Sequence, residues 1–303
     1  MLRGGSQGRI LLSMAVTHVN KSVSYSLLSK KIIFMNNKSD LALLVLSCDK
    51  YSDLWDDFFN LKERFWPDCP YHCYLATDSK EYHREGVETI HFGNIRTWSI
   101  CATNAIDQIK EPYIALFLED AFIYKPIDND IIEEHFRIFL DKEMDFLTLE
   151  RNRMKKKYTS EDQIAHHIWR IDRHQKYGID TSAAIWNKVF LRNALKKEDC
   201  SAWQFEVNFC KEAESLQGLQ GKIFFDDRQP FNISPIEVVQ LGQLSTDAIK
   251  FFKKKGYLIQ SKRERMNWKQ MLYFRERNRM EKNPYLWRII KAICKLFGMN
   301  FFS

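Results

Sequence analysis

The chain has 303 residues and a net charge of +7, with 45% hydrophobic and 14% aromatic residues, 11 Gly and 7 Pro. That length and composition give a globular protein with a sizeable core and exclude fibrous, collagen-like and low-complexity structure. The charge is uneven: from Lys250 onward there are 15 Lys and Arg against 3 Glu, while the preceding residues hold 31 basic and 36 acidic side chains, which speaks against a uniformly nucleic-acid-binding surface.

In chain order, residues 1–38 alternate weak apolar patches with Ser, Asn and Lys, and are expected to form a poorly ordered N-terminal extension. Within them "ILLSMAV" is short for a signal core and no cleavage site follows, while Met35 opens "MNNKSDLALLVLSCD" just before a first strand. "LALLVL", Leu41 to Leu46, is a continuous apolar run too short for a helix with its own core face, and predicts a buried parallel strand. "SDLWDDFFNLKERFW" predicts a helix capped by Ser52, with Leu54, Phe58, Leu61 and Phe65 on one face. "YHCYLATD" is a second strand ending in Asp78 and "VETIHF" a third, from Val87 to Phe92. "TWSICATNAIDQIK" is a helix capped by Thr97 or Ser99, and "YIALFLED" a fourth strand ending in Glu119 and Asp120. A basic, polar stretch from Arg151 to Tyr177 follows. "AAIWNKVFLRNAL" and "SAWQFEVNFCKEAESL" read as helices, and "GKIFFDD" as a last strand.

This alternation predicts an α/β fold: an open, mostly parallel, Rossmann-like sheet flanked by helices over residues 39–257. Ligands of such sheets bind beyond the carboxyl ends of the strands. Three strands end there in acidic or small polar residues: Ser47-Cys48-Asp49, Thr77-Asp78 and Glu119-Asp120. Adjacent acids closing an apolar run belong at a site rim, because an unpartnered buried carboxylate costs several kcal/mol. In "SAWQFEVNF", Trp203 and Glu206 share a helix face, and an acid desolvated by an aromatic suits a general base; Asp180 in "YGIDTSAA" is the reserve base or an acceptor-binding acid. Seven cysteines without a repeated CxxC spacing read as reduced thiols of a cytosolic protein. Cys69 and Cys73 with His72 lack a second ligand pair. His166 and His167 point about 100° apart on a helix and lack the HExxH pattern, so neither group reads as a zinc site, even with His174.

Taken in order, "LVLSCDKYSDLWDDFF", "YLATD", the Trp98 helix, "YIALFLEDAFI", "AAIWNK" and "AWQFE" resemble bacterial glycosyltransferases of the GT-A fold that build capsule or lipopolysaccharide sugars, over about Leu41 to Tyr257. The resemblance implies transfer of a sugar from a nucleotide-sugar donor to a hydroxyl of a glycan or lipid-linked acceptor. It implies that Glu119 and Asp120 contact the ribose and that Asp120 holds Mn²⁺ or Mg²⁺ on the diphosphate, whose developing charge must be neutralised as it leaves. It also implies nucleotide contacts from Ser47, Cys48, Asp49 and Asp78 and a catalytic base near Glu206; Trp98 reads either as a ring that stacks on the base or as a buried aromatic of the core. Ala121 stands where many relatives have a second Asp. Two alternatives therefore stay open: a metal anchored by Asp120, or a metal-independent enzyme in which the basic residues Arg151, Arg153, Lys155 to Lys157, Arg170 and Arg173 stabilise the diphosphate.

The end of the chain, 258–303, reads as a basic, amphipathic, helical tail. Arg288, Lys291 and Lys295 share one sector against Leu286, Ile289, Ile290, Ile293, Leu296 and Phe297, the pattern of an interfacial helix at the inner face of the cytoplasmic membrane or of a helix docked on the body or a partner subunit, as in a homodimer. No run of about 18 apolar residues exists to span a bilayer. A catalytically inactive scaffold is the alternative function. Nucleic-acid binding by the tail is the third reading, and no zinc finger or RNP motif supports it.

Overall fold

All six residues of β1 (Leu41–Leu46) are buried, because this strand lies inside the sheet with a core on each face. The computed structural model describes residues 40–94, 97–149, 158–172, 178–181, 183–195, 199–212 and 221–272, with Tyr285, Arg288, Ile289 and Ala292. The expected N-terminal extension, Arg151, Arg153, Lys155 to Lys157, Arg173, His174 and most of the basic tail lie outside the described residues. β2 (His72–Thr77) and β3 (Val87–His91) match the predicted strands within a residue, and β4 (Tyr113–Leu118) ends two residues earlier than expected, so that Glu119 and Asp120 lie in the turn after it.

The described elements form a nine-stranded sheet in the order β3-β2-β1-β4-β8-β5-β9-β7-β6. In the second half, β5 is Phe146–Thr148, β6 Gln163–Ala165, β7 Ile168–Arg170, β8 Ala184–Asn187 and β9 Ile223–Asp226. The first four strands are parallel, whereas β8 runs antiparallel to both β4 and β5. β9 is parallel to β5, and β7 and β6 are antiparallel additions. The sheet is therefore mixed rather than mostly parallel. The cause is "AAIWNK", which is a strand and not the start of a helix: Ala184, Ile185 and Trp186 are buried between two sheet neighbours. Asn187 then ends the strand, its Oδ1 accepting from the backbone N–H of Val189 at 3.0 Å and of Phe190 at 3.3 Å.

Helices cover both faces. α1 (Trp55–Phe65), α3 (Asn129–Asp141) and α6 (Thr246–Lys254) pack on one core, and α2 (Trp98–Gln108), α4 (Lys188–Leu195) and α5 (Ala202–Glu212) on the other. In α1 the predicted stripe holds, with Phe58 and Leu61 buried beside Trp55 and Phe59, each such side chain contributing about 1.5–3 kcal/mol. Its cap differs from the prediction. A 3-10 turn, Asp49–Leu54, precedes the helix, and Ser52 accepts from Lys80 Nζ at 2.7 Å instead. In α2, Thr97 holds the N-cap position without a side-chain cap bond, and Ser99 Oγ accepts from Cys200 N at 3.0 Å.

After α6 the chain folds back as a strap against α1. Asp57, fully buried on α1, accepts from Tyr257 OH at 2.7 Å, Gln260 N at 2.8 Å and Ser261 N at 2.9 Å. The described part of the basic C-terminal segment thus begins as an integral part of the fold.

Candidate functional site

β1 leads through α1 to β2 and β3 on one side, while β4 lies on the other side of β1. α1 packs on one face of the sheet and α2, the helix leading into β4, on the opposite face. The chain thus diverges beyond the carboxyl ends of β1 and β4, and a topological switch point of this kind leaves a crevice that ligands enter. The lips of this crevice are Ser47-Cys48-Asp49 after β1 and Glu119-Asp120 after β4, so the structure brings together the residues that the strand-end pattern singled out.

Ser47 joins the lips. Its Oγ accepts from Trp55 Nε1 at 2.8 Å, and its hydroxyl hydrogen-bonds Glu119. Glu119 is only 8% exposed; burial, then the neighbouring charge of Asp120, pushes its carboxyl up to about 8. Burial and the same carboxylate raise Tyr51, and burial with Glu119 and Asp78 raises Cys48. Asp78 Oδ2 accepts from Asp49 N at 2.7 Å and fixes the β1 loop. The Asp49 side chain, expected at a nucleotide, bonds within the loops after β1 and β2. Its carboxylate accepts from Ser79 Oγ at 2.7 Å and Lys80 N at 3.0 Å, and these bonds outweigh burial and hold it below the usual carboxylate range.

One contributor escaped the sequence analysis. Arg263, on the strap, pairs with Asp53 (Nη2 to Oδ1, 2.6 Å), donates to Lys50 O at 2.9 Å and lies 4.2 Å from the centroid of the Tyr51 ring. It is the cation whose charge reaches Glu119, where it partly offsets the upward shift. A basic run reads the same whether it ends in solvent or straps the fold, and the partner of Arg263 lies 210 residues upstream. The only available signal was the acid-aromatic pattern of Tyr51 and Asp53, which asks for a cation from elsewhere.

The same sheet edge continues past β4. β8 is antiparallel to β4, so the residues before it, Asp180 and Thr181, emerge one strand over from Glu119 and Asp120. Thr148 Oγ1 donates to Asp180 Oδ2 at 3.3 Å, while Glu206 Oε1 accepts from Thr181 N at 2.8 Å and Thr181 Oγ1 at 2.9 Å. Glu206 thus braces α5 against the entry to β8, and Trp203 is 39% exposed. Farther along, Asp226 is buried with His135 and Arg228 on its carboxylate. Their hydrogen bonds outweigh burial and hold it below the ordinary range.

Arg170 does not reach the crevice. β7 is four strand spacings from β4, about 19 Å at the usual interstrand distance, and Arg170 closes its far end with the guanidinium 6.0 Å from the Phe224 ring centroid. Trp98 sits half-buried at the rim, its ring 5.7 Å from that of Phe205, which is core packing in the main. His166 and His167 lie in the turn between β6 and β7, not on a helix, and His167 Nδ1 bonds Asp227 at 2.7 Å. A shallow cavity of about 520 Å³ lies away from these groups, along Glu81 to Thr89 beside edge strand β3.

Among the described residues no group of three His, Cys, Asp or Glu side chains could hold a metal ion by itself. Two adjacent carboxyl groups do fit a hard divalent cation whose remaining oxygens come from phosphate and water.

No family model matches this chain, and no curated protein matches it. Among solved structures it is similar to the bifunctional IspDF from Campylobacter jejuni, with a TM-score of 0.36 and 13% identity over 62% of this chain and 49% of that one. It is also similar to S. aureus TarS 1-349, at 0.41 and 9% identity over 61% and 57%, and to the same protein in complex with UDP-GlcNAc, at 0.35 and 8% identity over 55% and 52%. The chain thus spans only about half the length of these structures, and at such scores the likeness carries no inference about activity.

Proposed function

We propose that the β1–β4 crevice binds a nucleotide-sugar and that the protein is a glycosyltransferase acting on a hydroxyl of a glycan or lipid-linked acceptor in surface polysaccharide synthesis. The observation that supports this most is the Glu119–Asp120 pair at the switch point. Glu119 is buried and Asp120 half-buried, adjacent to each other where a phosphate-bearing ligand of a sheet like this one binds, and burial with the Asp120 charge raises the Glu119 carboxyl. Asp120, with Glu119, would hold Mn²⁺ or Mg²⁺ there, and the ion would neutralise the leaving diphosphate. The chain's own groups do the rest. Ser47 and Asp78 fix the β1 loop, and Arg263 holds the Tyr51 ring at the mouth. Asp180 takes the proton of the acceptor hydroxyl. The acceptor oxygen then bonds to the anomeric carbon, and the diphosphate leaves with the electron pair of the broken C–O bond.

Asp180 replaces Glu206 in the role of base because Glu206 Oε1 is occupied by Thr181. Asp180→Asn is expected to lower kcat about 10²–10⁴-fold, as loss of a general base does. Glu206→Gln, a positioning change, lowers it less. The assay is release of nucleoside diphosphate from UDP-, GDP- and dTDP-sugars, and of CMP from CMP-sugars, with and without Mn²⁺. Binding without release from any of them would make the chain an inactive scaffold.

A further inference from the structure

We propose that the tip of the β10–β11 hairpin and the helical turn at residues 268–272 form one surface that docks on an anionic lipid bilayer beside the mouth of the crevice. β10 (Val239–Gln240) and β11 (Gln243–Leu244) are joined by Leu241 and Gly242. Leu241 has φ 50° and is 81% exposed: a large apolar side chain held in water on a left-handed backbone, where a hairpin turn ordinarily uses Asn, Asp or Gly. Trp268 is 71% and Leu272 49% exposed.

These side chains belong to one rigid unit. Met266 N donates to Leu244 O at 2.9 Å, Leu244 N to Glu264 O at 2.8 Å and Gln270 Nε2 to Gln243 Oε1 at 2.9 Å. Cations surround them. Lys262, Arg265 and Lys269 are exposed with only Glu264 among them, and Lys269 Nζ lies 5.7 Å from the Trp268 ring centroid. Farther on, Tyr285 and Ile289 are also exposed, with Arg288 between them. An aromatic ring and aliphatic tips ringed by Lys and Arg match the headgroup boundary of a membrane carrying anionic lipid. Net charge decides against a second copy as the occupant, since two segments with 15 basic and 3 acidic residues each repel. The surface adjoins the crevice through Arg263, which donates to Gly242 O at 3.1 Å and to Lys50 O at 2.9 Å.

The test is co-sedimentation of the full chain with phosphatidylglycerol-containing and with pure phosphatidylcholine vesicles. The wild type is expected to pellet with the first and not the second. Leu241→Ser with Trp268→Ser should lower the partition coefficient about tenfold or more. Lys262→Gln and Lys269→Gln should each lower it about fivefold. Unchanged circular dichroism is expected for all four exposed positions. Equal pelleting with neutral vesicles, or wild-type binding by the double variant, would overturn the proposal. So would a dimer that the same variants dissolve in a protein that binds no vesicle.

Discussion

Glu119 and Asp226 are two buried acids at the carboxyl edge of one sheet, and the fold treats them in opposite ways. Asp226, at the end of β9, has His135 and Arg228 on its oxygens and is held below the ordinary carboxylate range. Glu119, just past β4, has Asp120 beside it; hydrogen bonds from Ser47 and from its own backbone and the charge of Arg263 only partly offset burial, and its carboxyl is raised to about 8. Burial alone therefore does not mark a functional acid. The difference lies in which neighbours the fold sets against each carboxyl: a histidine and an arginine on Asp226, a second carboxylate beside Glu119.

The largest effect that separates the two is on stability. Asp226→Asn leaves His135 and Arg228 in a buried site without their anion, and is expected to lose about 3–5 kcal/mol in urea unfolding. Glu119→Gln is expected to change stability in the opposite direction at pH 8, because it removes a buried carboxylate beside Asp120. Loss of stability in both variants would erase the contrast. Asp57 extends the comparison as a third buried acid, with three donors from the strap. Asp57→Ala orphans them at a cost of about 2–3 kcal/mol and loosens Arg263 from the crevice, so nucleotide affinity should fall with stability. Arg263→Lys should keep most of that affinity and Arg263→Ala should not.

Smaller and sharper is the pH dependence. The folded value of Glu119 lies above its unfolded value, so the metal-free protein binds an extra proton between about 4.3 and 8 and loses stability as pH rises through that window, at up to about 1.4 kcal/mol per pH unit. Glu119→Gln should flatten the curve there. Asp226 is depressed, so its contribution is present above about 3.9 and disappears as pH falls through its lower folded value. Unfolding curves of wild type and the two variants between pH 3 and 9, in chelator, check both signs.

The sequence showed the parallel half of this comparison well. "LALLVL" and "YIALFL" are continuous apolar runs of strand length, and the acids that follow them fell where expected. The mixed half was less legible for local reasons. Ala184–Asn187 is four residues long and runs straight into α4, so its period cannot be told from that of the helix. α3 carries Ile132, Phe136 and Phe139 at helical spacing and went unassigned, although Asp128 caps it by accepting from Asp130 N at 2.9 Å. The pairing of Arg263 with Asp53 and of Asp226 with His135 depends on contacts 210 and 91 residues apart, which no local pattern records.

The measurement that tests the central claim most directly is a thermal-shift series of UDP-, GDP-, CMP- and dTDP-sugars, with and without Mn²⁺, on wild type, Asp120→Asn and Asp226→Asn. The account predicts that one donor class raises the melting temperature of the wild type and of Asp226→Asn, and that Asp120→Asn folds normally but no longer responds. A series in which no nucleotide-sugar shifts the wild type, or in which Asp120→Asn responds equally, would contradict it.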